Sequence, residues 1–100
     1  MNGAGGTFDI DQTSTGTINL DTNGDYVNVS IEQTSTGTVN IDANGTTFTA
    51  DIDQDNASTL NLHHDGTGAD YVILQTGGSG DHITMTVNGN SANVDIIQRD

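Results

Sequence analysis

Residues 13–20 read TSTGTINL and residues 34–41 read TSTGTVNI, nearly the same eight letters 21 positions apart. Internal recurrence with a period of about 20 to 50 residues marks stacked, repetitive architectures, and few other features restrict a fold so strongly. The recurrence runs through the whole chain. Gln12, Gln33, Gln54 and Gln75 are 21 apart and Gln98 follows after 23, the last interval carrying two extra residues in TGGSGDHI. Gly3, Gly24, Gly45, Gly66 and Gly89 each stand nine positions before a Gln, preceded by Asn2, Asn23, Asn44, Asp65 and Asn88. The chain divides into a half repeat, 1–12, and four whole repeats, 13–33, 34–54, 55–75 and 76–98, forming a single domain.

Each repeat alternates with period two, the signature of half-buried strands. A first strand puts Ile18 and Leu20 on one face; a second puts Val27, Val29, Ile31 and Gln33 there, with Asn28, Ser30 and Glu32 opposite. The Asn-Gly pairs, with Gly3, Gly24, Gly45, Gly66 and Gly89, read as the turns between them. Asn-Gly between alternating runs is also a hairpin signal, so an antiparallel meander competes with a parallel stack. A meander requires only that polarity recur. Here residue identity recurs, which favours strands lying over their own counterparts about 4.8 Å apart, where amides can hydrogen-bond along the stack. The expected fold is an all-β solenoid of about 4.5 coils built from 21- to 23-residue strand-turn-strand repeats, with two facing parallel sheets. Its expected amide ladders are Gln12, Gln33, Gln54, Gln75 and Gln98, and Asn19, Asn40 and Asn61.

Composition fits two narrow sheets better than a compact core. Hydrophobic residues make up 31% of the chain, and 14 acidic residues face a single base, Arg99, for a net charge of -13. Such a surface repels phosphate backbones, so nucleic acid is not an expected partner. No run approaches the roughly 18 apolar residues of a membrane span, so membrane insertion is not expected either. MNGAGGTFDIDQ has neither a basic n-region nor an apolar h-region; the expectation is that the chain is not exported by a cleaved leader or that a leader is removed ahead of Met1. The absence of cysteine removes disulfides, thiol catalysis and thiolate metal sites.

Strand, Gly-Asn turn, strand and terminal Gln in units of about 22 residues, with GNSANVDIIQ as the closest passage, resembles the curlin repeat of bacterial curli fibres. The Gly-to-Gln spacing of nine is shared in all five turns, and the resemblance covers essentially the whole chain. Two positions differ. Thr22, Ala43, His64 and Val87 stand where curlins place Gln, and Val27, Phe48, Ala69 and Ala92 where they place Asn. One amide ladder of that family is therefore complete here, in a more aliphatic interior. The resemblance implies a curlin-like solenoid and a functional-amyloid fibre subunit, extracellular or at the cell surface. The repeats also look like those of tail and surface proteins of some marine phages, which implies a virion component as the alternative.

Solenoid edges leave backbone groups unpaired, and no proline, lysine or capping helix guards either end of this chain. Head-to-tail stacking into a homopolymer is the expected assembly, the last coil of one copy completing the first of the next. Two acidic rows are expected on the outer face of the second sheet: Asp9, Ser30, Asp51, Val72 and Asp95, and Asp11, Glu32, Asp53, Leu74 and Ile97. Val72, Leu74 and Ile97 interrupt those rows and form an expected lateral contact.

Ligand chemistry is sparse. Asp21, Asn23 and Asp25 of DTNGD resemble the start of a calcium loop without its later Gly and Glu, and GGSGDHI approaches a calcium-repeat motif once. Calcium is the candidate cofactor these motifs offer, as zinc or copper is for the histidines, and the expectation is none. His63, His64 and His82 are the only imidazoles, with no spacing that forces them together. Thr13, Thr15, Thr34 and Thr36 would make an ice-binding grid only two rungs deep. No nucleophile, base and orienter recur as a set, so the chain is not expected to be an enzyme.

Overall fold

The computed structural model describes residues 2–99, and its elements are strands alone. They are β1 (Asn2–Gly3), β2 (Gly6–Gln12), β3 (Gly16–Gly24), β4 (Tyr26–Gln33), β5 (Gly37–Gly45), β6 (Thr47–Asp55), β7 (Thr59–Gly66), β8 (Ala69–Thr76), β9 (His82–Asn88) and β10 (Ala92–Arg99). Odd strands form one five-stranded sheet in the order β1-β3-β5-β7-β9, and even strands form a second in the order β10-β8-β6-β4-β2. Every pairing is parallel. The register is the sequence period itself: Gln12 pairs with Gln33, Gln33 with Gln54, Gln54 with Gln75, and Gln98 with Gln75. This is a β-solenoid of roughly four turns, not a meander.

Where the chain reverses differs from the sequence reading. Asn23 and Gly24 belong to β3 and pair in register with Asn2 and Gly3 on one side, and Asn23 pairs with Asn44 on the other. The break falls at Asp25, one residue later. A hairpin would have needed the left-handed conformations that Asn-Gly supplies; here Gly24, Gly45 and Gly66 stay within their strands, and Gly89, which follows β9, alone of these four has a positive φ, 150°. The glycines serve close approach instead. A Cβ at Gly45 or Gly66 would overlap the carbonyl oxygen of Gly24 or Gly45 in the coil before it.

The two sheets face each other across one layer of side chains, consistent with molecular extents of 36 × 22 × 14 Å. Ile18, Leu20, Val39, Ile41, Leu60 and Leu62 from the odd strands meet Val27, Val29, Ile31, Phe48, Ile52 and Ile73 from the even ones. With so thin a core, volume must balance between coils as well as within them. Phe48 therefore stacks on Ala69, Tyr71 on Ala50, and His64 on Ala43. At the first coil Phe8 and Ile10, and at the last Ile83, Met85 and Val87, are only partly covered.

Candidate functional site

The repeated Gln is drawn inside. Gln33, Gln54 and Gln75 are fully buried in the second sheet, and a buried amide is tolerated only when its hydrogen bonds are made. They are made to one another. Gln33 Nε2 donates to Gln12 Oε1 at 2.5 Å, Gln54 Nε2 to Gln33 Oε1 at 2.9 Å, Gln75 Nε2 to Gln54 Oε1 at 2.9 Å and Gln98 Nε2 to Gln75 Oε1 at 2.8 Å. A second ladder runs along the outer face of the first sheet: Asn40 Nδ2 donates to Asn19 Oδ1 at 2.8 Å and Asn61 Nδ2 to Asn40 Oδ1 at 2.9 Å. All eight residues expected to form ladders do so.

The TSTG segment has its explanation beside the Gln ladder. A Cβ at Gly16 would collide with the side-chain amide of Gln12, and one at Gly37 with that of Gln33 and with the Gly16 carbonyl. Glycine four residues after Gln makes room for the amide. In the third coil Ser58 takes that place, fully buried, its hydroxyl donating to the Asp55 carbonyl at 3.1 Å and its carbonyl accepting from Gln75 Nε2 at 3.5 Å. In the fourth, the two-residue insertion brings Asp81 round to accept the Ser58 amide at 3.0 Å. Gly16, Gly37 and Ser58 are ladder residues that the reading of the repeat passed over, although their fixed offset from Gln was visible.

The ladder has a direction. Each bond runs from an Nε2 donor to the Oε1 of the coil before it, so Gln12 Nε2 and Gln98 Oε1 have no hydrogen-bond partner among the described residues. One end of the molecule offers a donor and the other an acceptor, in the same row. The strands around these atoms are open on one side as well: β2 presents Phe8 and Ile10 half-covered, and β10 presents Val94 and Ile96, 41% and 42% exposed. Arg99, the only base in the chain, closes β10.

The outer face of the second sheet carries the two acidic rows in register. Burial and the charges of Asp55 and Asp51 push the Asp53 carboxyl above its ordinary 3.8. Val72 and Ile97 are 46% and 40% exposed, and Leu74 pairs with Ile97, so the three interruptions form one apolar patch at the C-terminal coils.

The metal candidates disperse. Asp21 and Asn23 lie in β3, Asp25 follows it, and no group of three acidic, His or Cys residues suited to a metal occurs among the described residues. The histidines also separate: His63 faces outward opposite Asp42, His64 is buried, and His82 begins β9 opposite Thr59. On the outside of the first sheet the Asn ladder, Asp42 and His63 border a shallow groove of about 390 Å3. In the TSTGT segments Thr15 Oγ1 and Ser35 Oγ lie 3.5 Å apart in a hydrogen bond between neighbouring coils.

Comparison with models of known protein families finds no match, and comparison with curated proteins and with solved structures finds none either.

Proposed function

We propose that the chain is a non-enzymatic structural subunit that stacks end to end with copies of itself into a β-solenoid fibre. The observation that carries this reading is the polarity of the buried Gln ladder, whose two ends are complementary and unpaired. Continuing the register places β10 of one copy against β2 of the next. Gln98 Oε1 then accepts from Gln12 Nε2, Val94 covers Phe8 and Ile96 covers Ile10, each in the row it already occupies. Arg99 comes beside the acidic edge that holds Asp11, a charge pairing that two like ends would lack. The contact is heterologous and does not close, so it propagates. Asp95 meets Asp9 across the junction, and this repulsion makes growth salt-dependent.

The curlin-like spacing supports an extracellular or cell-surface fibre as the setting, with neither nucleic acid nor cofactor as partner. Electron microscopy and sedimentation velocity test the assembly. Unbranched fibres that lengthen with protein concentration are expected. Val94→Lys, which puts a charge on the open edge while leaving the inner coils intact, should leave folded monomers. Monomeric wild-type protein at every concentration and salt tried would overturn the reading.

A further inference from the structure

Three rings from three strands meet in the middle of the core. Phe48 of β6 lies 5.7 Å from His64 of β7 and 5.6 Å from Tyr71 of β8, and His64 and Tyr71 lie 6.0 Å apart, centroid to centroid. His64 is 1% exposed, and among the described residues neither of its ring nitrogens has a hydrogen-bond partner; the Tyr71 hydroxyl and Thr22 Oγ1 are equally orphaned. Leaving four polar atoms buried without partners is costly, and a charge added among them is costlier.

No acidic side chain in the surrounding elements points into the core beside the ring. β5 contributes Ala43, flanked by outward-facing Asp42; β9 contributes Val87, between Thr86 and Asn88; β6 contributes Phe48, between Thr47 and Thr49. β8 contributes Ala69 and Tyr71, with Asp70 turned outward between them, and on β7 itself His63 and Asp65 face solvent. Among the described residues, Tyr71 is the one titratable group facing His64 from across the core, and burial holds its phenol protonated far above the ordinary range.

We propose that His64 is an acid-operated release in the third coil: a proton on its ring cannot be accommodated, and the solenoid opens at β7 when the surroundings acidify. Burial pushes the His64 imidazole below its ordinary 6.5, Asp65 draws it partly back and His63 adds to the lowering. Above 6.5 the folded and unfolded states both hold His64 neutral, and it imposes no pH dependence. As pH falls below that value the unfolded chain takes up a proton that the folded one refuses, so stability is lost toward acid. The raised Asp53 carboxyl acts in the opposite sense, its penalty fading toward acid, and it is common to wild type and His64 variants.

Urea denaturation between about pH 5.5 and 7.5 tests this on dilute protein, comparing wild type with His64→Phe, which keeps a ring and removes the titration. The wild-type folding equilibrium constant should fall by up to about tenfold per pH unit below the histidine range. His64→Phe should be flat there, while His63→Gln and His82→Gln keep the slope. A flat wild-type profile, or an unchanged slope in His64→Phe, would overturn the proposal. Should His64→Phe not fold, imidazole proton NMR of the wild type decides. The His64 ring should stay neutral until the coil opens, with amide exchange in β7 and β8 quickening ahead of β3 and β4. Protonation of the His64 ring in the still-folded protein would refute it.

Discussion

At the scale of single residues, the stack is held by groups that gain from having an identical neighbour. An interior Gln uses one donor and one acceptor on the coils either side, so deleting it breaks two buried hydrogen bonds. Gln54→Leu should therefore cost about 2 to 4 kcal/mol, because Gln33 Oε1 loses its partner and Gln75 Nε2 keeps only the long 3.5 Å bond to the Ser58 carbonyl. Gln12→Leu orphans only Gln33 Nε2 and should cost about half as much. Chemical denaturation of the two variants checks the ratio, and equal losses would show that the bonds contribute little beyond packing. Glycine acts at the same scale by subtraction: at Gly16 and Gly37 the missing Cβ is the space the amide of Gln12 or Gln33 occupies.

At the scale of strands, identity recurring at a fixed interval is enough to set direction and register, which is why the pairing of Gln12 with Gln33 and of Asn19 with Asn40 was legible before any coordinates. The corner was less legible. Asn-Gly is informative about hairpins because they demand positive φ, and in a parallel coil the same pair remains in the strand while Asp25 makes the break. His64 was hidden for another reason. Its parity with Leu60 and Leu62 places it inward, yet whether a ring fits depends on Ala43 in the neighbouring coil and on Phe48 and Tyr71 across the core, a volume relation that no single strand displays. The outer rows permit a prediction at this scale. Asp53 binds its proton more tightly folded than unfolded, so its ionisation destabilises the fold above its raised value, and the penalty disappears as pH falls below 3.8. Asp53→Asn should raise stability at neutral pH by about 0.5 kcal/mol, the scale of an exposed charge interaction, and should reduce the stabilisation gained on acidification. Thermal melts of both proteins at pH 7 and pH 4 measure it; a destabilised variant at neutral pH would contradict the electrostatic account.

At the scale of the whole molecule, a net charge of -13 is borne on a body with extents of 36 × 22 × 14 Å. Self-repulsion on that surface weakens the fold and any contact between copies, and ions screen it within about 10 Å at 0.1 M salt. Sodium chloride should raise the melting temperature and speed fibre growth. Calcium should act more strongly at equal ionic strength by bridging the acidic rows, reversibly on adding chelator. Scanning calorimetry and light scattering would show both effects, and a melting temperature indifferent to ions would mean that the rows are fully relaxed by solvent. The alternation of bulky and small fillers along the core has a consequence at this scale too. Coils this similar can pair backbones with the wrong neighbour, and a second chain could dock like upon like with every main-chain bond intact. Such a mismatch would press Phe48 against Phe48, or Tyr71 against Tyr71, where the correct arrangement sets each against an alanine. A few non-repeating side chains in a repeating frame thus act as a key that rejects counterfeit alignments.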